Sequence, residues 1–432
     1  MSEPRVLVVG QGGREHALLD ALHESAEHPR LFVAPGNPGM EPLAERVPIE
    51  AADVTGLTAW ARGQKIDLVV IGPDAALAAG LADSMRDAGI PTLGPGREAA
   101  RLEWSKRHAK ELLLRLGLPT AAFRVAETAE EAELLLEGAP YPLVLKADGL
   151  AAGKGVVIAR DQAEARATVD AWMRRGALGD AAKSVVVEEC LEGEEASVLL
   201  LTDGERWILF PPARDHKRIG DGDVGPNTGG MGACAPARVP SAAEAQRIAH
   251  RIVDPLLRTL RDAGTPYRGV LYLGLMMTSS GPMVLEINAR FGDPEAQVVL
   301  PLLNESAYAL FLAAAQGTIP ADRHGSFVAH GGAAVCVVLA ARGYPGRPET
   351  GGPIEGLDGP WPKGLRVYCA GVERRGPQWI VSGGRVLGVT ARGETLERAR
   401  TAAYEAVRSI RFPGMQYRTD IALAPLSSGA RR

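Results

Sequence analysis

Between residues 5 and 100 short apolar runs alternate with stretches of helical spacing. That alternation restricts the region to a parallel sheet with crossover helices. Arg5–Val9 reads as a buried strand that ends at Gly10, and Glu15–Glu24 has helical spacing. Leu31–Ala34 is a second strand, stopped by the turn residues Pro35 to Gly39. Asp67–Ile71 is a third, stopped at Gly72-Pro73. Leu77–Ala88 reads as one helix, and Pro91–Leu93 as a short strand before the Gly94-Pro95-Gly96 break.

The rest of the chain keeps an α/β character. Glu98–Leu116 reads as one long helix ended by Gly117 and Pro119. The strands Leu143–Lys146 and Val156–Ala159 flank a glycine-rich turn, and a helix over Ala163–Arg174 and a strand over Ser184–Glu188 complete a compact lobe. Residues 195–320 mix the strands Ser197–Thr202, Trp207–Phe210, Val270–Leu275 and Met283–Ile287 with the helices Ala242–Asp262 and Glu305–Gln316. A last unit, 326–425, opens on the strand Ala333–Leu339 and closes on the helix Leu396–Ser409.

At 432 residues the chain has room for about three domains. Lys plus Arg total 48 against 52 Asp plus Glu, so no basic field attracts nucleic acid. The apolar run Val6 to Val9 is too short for a signal peptide, and the nine residues Ala333 to Ala341 make only half a membrane span. The four cysteines are scattered without CxxC spacing, and the eight histidines show no metal-binding spacing. These features predict a cytoplasmic protein that binds neither nucleic acid nor membrane.

Five segments offer chemistry. Gly10, Gly12 and Gly13 sit between a strand and a helix, where backbone N–H groups meet phosphates. Glu15 stands where a dinucleotide fingerprint needs a third glycine, so an NAD site, another phosphate site and a plain tight turn all remain open. Lys146 precedes Asp148 to Gly155, which includes Gly153 and Lys154. Such a hairpin can fold over a triphosphate or simply be flexible, and it lacks the GKS or GKT of a P-loop. Glu188, Glu189, Leu191 and Glu195 follow an apolar strand whose edge can face a base and a ribose, or form an acidic turn. Asp215-His216 reads either as two side chains that act together as a base or as a local hydrogen bond. After it, Gly220 to Gly232 holds six glycines and a proline in thirteen residues. No regular element is expected there; a mobile loop closing over a ligand is, or a disordered connection. Glu286 and Asn288 alternate along a strand and share one face, which suits a hard cation such as Mg²⁺ or a solvated surface. Arg290, Asp293 and Glu295 follow closely.

In this order the segments resemble the ATP-grasp superfamily, and within it the phosphoribosylamine–glycine ligase family. VGQGGREHAL, VAPGNPG, KADGLAAGKGV, EECLEGEEAS, DHKRIGDGDVGPNTGGMGA, EINARFGDPEAQ and GGRVLGVTA carry the resemblance, from residue 8 to about 391. It implies a Rossmann-like domain over 1–103, a two-lobed ATP-grasp unit over 104–325 with a small lid lobe at about 122–190, and a small mixed C-terminal domain over 326–425. It further implies a monomer that joins glycine to 5-phosphoribosylamine through a glycyl phosphate, using ATP and Mg²⁺ or Mn²⁺. On the same basis Lys106, Lys146, Gly153 and Lys154 meet ATP, Glu188 and Glu189 flank the adenine, Leu191 offers its amide, and Glu195 binds ribose. Glu286 and Asn288 ligate the metal. Asp215, Lys217 and Arg290 are implied as catalytic groups, and Gly10, Gly12, Gly13, Asp74, Thr228, Gly229 and Asp293 as substrate contacts. The chain departs from the family pattern at Trp104, where glycine is usual, and at Asp74, where glutamate is usual. Gly274 falls where many ATP-grasp enzymes carry a further acid.

Overall fold

A computed structural model describes residues 3–151 and 154–423. Its first sheet is wholly parallel, in the order Glu45–Arg46, Arg30–Pro35, Arg5–Gly10, Leu68–Ile71, Thr92–Leu93. The two-residue strand Glu45–Arg46, exposed and polar, carries no alternation that a sequence reading could detect. The helix expected over Leu77–Ala88 breaks at Gly80, which takes a left-handed φ of 86° and separates Asp74–Ala78 from Leu81–Asp87.

The long helix expected over Glu98–Leu116 also breaks, at Ser105, into Arg101–Trp104 and Lys106–Arg115. Ser105 adopts an extended conformation and caps the second helix by accepting from the His108 amide. Its hydroxyl also donates to Asp148 Oδ1 at 3.0 Å, and the Arg107 amide donates to the same oxygen at 2.8 Å. The break thus ties Lys106, first residue of the new helix, to the start of the glycine-rich turn.

The small lobe is an antiparallel sheet in the order Phe123–Ala126, Val185–Glu189, Leu143–Ala147, Val156–Ala159. It closes on its own core of residues such as Leu145, Val185 and Trp172. A second antiparallel sheet runs Trp207–Leu209, Glu194–Thr202, Gly269–Thr278, Gly281–Asn288. It shares a core with the first sheet: Leu7, Val69, Leu271 and Ile287 belong to one buried cluster together with Leu257 of the helix Ala242–Asp262. The small lobe therefore has a core of its own, whereas the first two sheets are held together by common burial.

The C-terminal sheet runs Arg214–Asp215, Gly232–Ala235, Ala333–Ala340, Arg385–Gly393, Leu365–Cys369. Two of its strands come from residues 214–235, so this sheet carries Asp215 toward the second sheet. The segment expected to be an irregular loop, Gly220 to Gly232, is different here. Arg218–Gly220 pairs with Val224–Asn227 as a hairpin. Asp223 and Asp420 both pair with the buried Arg418, and the Gly222 amide donates to Asp420 Oδ2 at 2.7 Å. Glycines in a turn permit a tight hairpin as readily as a loose loop, and a partner 198 residues away along the chain decides between them. Among the described residues no helix is long and apolar enough to cross a membrane.

Candidate active site

A cavity of about 610 Å³ opens between the small lobe, the second sheet and the C-terminal sheet. It gathers most of the residues singled out above: Lys106, Lys146, Glu188, Glu189, Leu191 and Glu195 line one part. Asp74, Asp215, Lys217, Arg290 and Asp293 line the other, together with Thr228 and Gly229. Glu286 and Asn288 lie on the wall that both parts share.

The first part is built on buried ion pairs. Glu188 Oε2 lies 2.9 Å from Lys146 Nζ and 2.9 Å from Lys110 Nζ. Lys110, which the sequence reading passed over, also donates to Thr120 Oγ1 at 2.8 Å. Burial pushes the Lys110 ammonium down to about 8, against the pull of Glu188. The signal was present: Lys110 lies one helical turn beyond Lys106 and so shares its face. Lys146 donates to the Leu285 carbonyl at 2.9 Å, which links the small lobe to the metal-candidate strand. Glu188 Oε1 is buried on the cavity without a hydrogen-bond partner among the described residues. Glu189 instead accepts from the Ala122 amide at 2.8 Å. Lys106 donates to the Gly149 carbonyl at 3.3 Å, and burial lowers its ammonium below the usual lysine range. Gly153 lies outside the described residues, and Lys154 is exposed and off the cavity wall.

Glu286 is the electrostatic centre. Lys217 Nζ stands 3.4 Å from its Oε1, and with Lys146 and Lys106 nearby the carboxyl falls to about 2 although it is partly withdrawn from solvent. An ionised carboxylate oxygen beside an amide on one strand face fits a hard cation. The Asn288 amide nitrogen points at Glu286 Oε1, 3.4 Å away, so a cation between them requires that amide turned over to present oxygen. Gly274 pairs with Glu286 across the strands, and a side chain there would come within 2.8 Å of Glu286 Cγ. The missing acid therefore leaves the room that Glu286 occupies.

The second part is assembled from five distant stretches of chain. Arg290 pairs with the buried Glu103 at 2.8 Å. Asp293 pairs with Arg385 at 3.0 Å and accepts from Gln297 at 2.6 Å; despite burial these keep its carboxyl below the usual range. Tyr344 accepts from the Gly229 amide at 2.8 Å. Arg385, Tyr344 and Glu103 were not picked out from the sequence; Arg385 lay within GGRVLGVTA without a role, and the others had no local signal. Asp215 Oδ1 is buried with no partner among the described residues. Burial and the neighbouring Glu295 raise the Asp215 carboxyl well above the usual range, against Lys217 and Arg385. Burial disfavours the Lys217 ammonium, yet Tyr272, Glu286, Glu195 and Asp215 raise it well above ordinary lysine values.

His216 does not join its neighbours. It follows the strand Arg214–Asp215, lies off the cavity wall, is buried, and is held at about 4, chiefly by burial and then by Arg418 and Arg214. The pairing of Asp215 with His216 is thus corrected. The turn at Gly10, Gly12 and Gly13 also differs from expectation, since none of the three lines the cavity. Glu15 folds back so that Oε2 accepts from the Gly12 amide at 2.6 Å. Its side chain fills the space beside Gly10 and Gly72. An intramolecular carboxylate holds the amide that a phosphate would use, while Arg14 reaches the cavity wall instead.

Three profiles of the phosphoribosylglycinamide synthetase family match this chain: its N domain over 4–103, its ATP-grasp (A) domain over 104–296 and its C domain over 334–424. The chain belongs to that family. Among its relatives the phosphoribosylamine–glycine ligase of Caulobacter vibrioides is 47% identical over 422 residues, 98% of each chain. The human trifunctional purine biosynthetic protein adenosine-3 is 42% identical over 96% of this chain and 41% of its own length. The crystal structure of the synthetase from Thermotoga maritima, a phosphoribosylamine–glycine ligase, superposes with a TM-score of 0.82 at 36% identity, covering 97% of this chain and all of that one. A biotin carboxylase domain from Hydrogenobacter thermophilus, solved with magnesium ADP and bicarbonate, shares the fold at a TM-score of 0.74 and 16% identity, over 96% and 92% of the two chains.

Proposed function

We propose that the cavity is a ligase site with nucleotide at the Lys106–Lys146–Glu188 end and the two other substrates at the Asp215–Arg290–Asp293 end. The chain is an ATP-dependent ligase that joins glycine to 5-phospho-D-ribosylamine in de novo purine biosynthesis, giving glycinamide ribonucleotide, ADP and phosphate. The glycine carboxylate attacks the γ-phosphorus and ADP leaves. The amine then attacks the glycyl carbonyl, the bond to phosphate breaks, and the amine gives up a proton.

The observation that carries the placement is the ionised Glu286 among Lys106, Lys146 and Lys217 on one cavity wall. Lys106 and Lys146 neutralise phosphate oxygens, each through a charge-assisted hydrogen bond. The open Glu188 Oε1 accepts from an exocyclic adenine amine, Leu191 offers its amide to the base edge, and Glu195 accepts from ribose hydroxyls. Asp74, Thr228, Gly229 and Asp293 hold the amine substrate and glycine, and Arg290 and Lys217 take up charge that develops on the transferred group. Glu286 and Asn288 would hold the divalent cation, Mg²⁺ or Mn²⁺, which supplies electrostatic neutralisation of the phosphates. The Gly10, Gly12 and Gly13 turn would reach a substrate phosphate only if Glu15 withdrew.

We further propose that the enzyme works as a cytoplasmic monomer with small molecules as partners; the four free cysteines suit a reducing compartment. Phosphate release from ATP, with glycine and phosphoribosylamine omitted in turn, tests the reading. Release that needs neither co-substrate would overturn it.

A further inference from the structure

The sequence shows no metal-binding histidine spacing, yet the fold gathers two imidazoles and a carboxylate on the far side of the second sheet. His250 and Asp254 lie one turn apart on the helix Ala242–Asp262 and so share a face. His324 follows the short turn Ala321–Arg323. One ligand atom from each of the three lies within 4.8 Å of the others. His250 Nδ1 is 2.9 Å from Asp254 Oδ2, and His324 Nε2 is 4.0 Å from Asp254 Oδ1. We propose that His250, Asp254 and His324 form a binding site for a late first-row divalent cation such as Zn²⁺, Ni²⁺ or Cu²⁺, separate from the oxygen donors Glu286 and Asn288.

The surroundings support a built site rather than a chance surface pair. The Trp207 indole Nε1 donates to Asp254 Oδ1 at 2.7 Å. A metal-bound carboxylate commonly has such a supporting donor. The Trp207 ring packs edge-on against both imidazoles, at 4.8 and 5.1 Å between centroids, which limits their rotation. A side chain at residue 325 would come within 3.0 Å of His250 Nε2, so Gly325 is what admits that ring. Gln246 fixes the same backbone by donating to the Gly325 carbonyl at 2.6 Å.

The donor set selects the ion. Two imidazoles and one carboxylate, with water completing a tetrahedron, suit Zn²⁺ and its neighbours and not Mg²⁺. Ligand atoms in such a tetrahedron stand about 3.3 Å apart for bonds near 2.0 Å. His250 Nδ1 stands 2.9 Å from Asp254 Oδ2 and His324 Nε2 4.0 Å from Oδ1, and side-chain rotations bring both imidazoles onto one carboxylate oxygen. His324 Nδ1 now accepts from the Trp207 amide at 3.4 Å. Coordination through Nε2 moves the ring proton to Nδ1 at the expense of that long contact, and the cation replaces the proton that His250 Nδ1 shares with Asp254 Oδ2. Arg258 and Arg261 line the adjoining hollow together with Glu205, so affinity in the micromolar range is expected rather than tighter.

The test uses the full chain after chelator treatment, titrated calorimetrically with ZnCl₂ while saturating Mg²⁺ occupies the oxygen site. One equivalent of Zn²⁺ should bind, and His250→Ala and His324→Ala should each weaken it by at least about tenfold. Glu286→Gln should leave it unchanged, so failure here is distinct from failure of the ligase reading. Cu²⁺ bound to the unmodified protein should show coupling to two imidazole nitrogens by electron paramagnetic resonance, which needs no variant to fold. Absence of Zn²⁺ binding, binding that survives both histidine variants, or a Cu²⁺ signal with fewer than two nitrogens overturns the proposal.

Discussion

The two ends of the cavity are built differently. The proposed nucleotide end draws Lys106, Lys110, Lys146 and Glu188 from about eighty consecutive residues, Lys146 and Glu188 on the small antiparallel lobe with its own core and the other two lysines on the helix Lys106–Arg115 beside it. The opposite end takes Asp74, Asp215, Arg290, Tyr344 and Arg385 from across the chain, on three sheets or the loops beside them. The locally built end keeps its Lys146–Glu188 pair within one lobe, and its Lys110–Glu188 pair ties that lobe to the neighbouring helix. An end assembled at a distance keeps its geometry only while the sheets stay in register. The comparison implies that substitutions at the first end act on nucleotide alone, and those at the second on the acceptors alone.

The largest effect is expected where the ends meet. Glu286→Gln keeps size and hydrogen bonding but removes charge. Turnover should fall at least about a hundredfold, roughly 2.7 kcal/mol in barrier. Added Mg²⁺ should restore little of it. Near-normal glycine-dependent turnover would show that the cation sits elsewhere and that the ends do not share this wall.

A pH effect follows in size. His216 is held at about 4 against an ordinary 6.5, so folding favours its neutral form. That stability is complete above 6.5 and is lost as pH falls through 4. Between pH 7 and 5 it should amount to on the order of 2 kcal/mol. Urea unfolding at both pH values should show a smaller drop for His216→Gln than for the parent. An equal drop would mean that His216 is solvated and that the strand does not present Asp215 and Lys217 alone to the cavity.

Smaller and paired are the effects of Lys110→Met and Arg385→Met. The first should raise the KM for ATP about tenfold, near 1.4 kcal/mol, and leave the KM for glycine and phosphoribosylamine in place. The second should do the converse. Steady-state kinetics with each substrate varied would erase the distinction between the ends if both variants moved the same constant. Smallest is Asp74→Glu. It restores the family's usual residue at a half-exposed helix start, and should change the KM for phosphoribosylamine less than about threefold.

Most strands and the long amphipathic helix Ala242–Asp262 were legible because burial imposes a period on the residues themselves. Two expected helices were broken by single residues, Gly80 and Ser105, whose roles depend on backbone geometry and a distant cap partner. The shared face of Glu286 and Asn288 was readable for the same reason as the strands. Lys110 was readable in principle, by its one-turn offset from Lys106. Arg385 and Tyr344 were not, since nothing near them in the chain marks a surface that another sheet completes.

By itself the sequence determined what local periodicity and short motifs encode: the alternating N-terminal region, the small lobe with its lysines, and the carboxylate–amide pair on one strand. Only the tertiary structure decided how Gly10 to Gly13 and Gly220 to Gly232 are used. Glycine permits many conformations, and a buried partner selects one. Glu15 fills the first segment, and Arg418 pins the second. The same holds for Lys110 beneath Glu188 and for His324 beside His250. Such contacts join residues far apart in the chain, and burial of charge, which sets their energies, exists only once the sheets have packed.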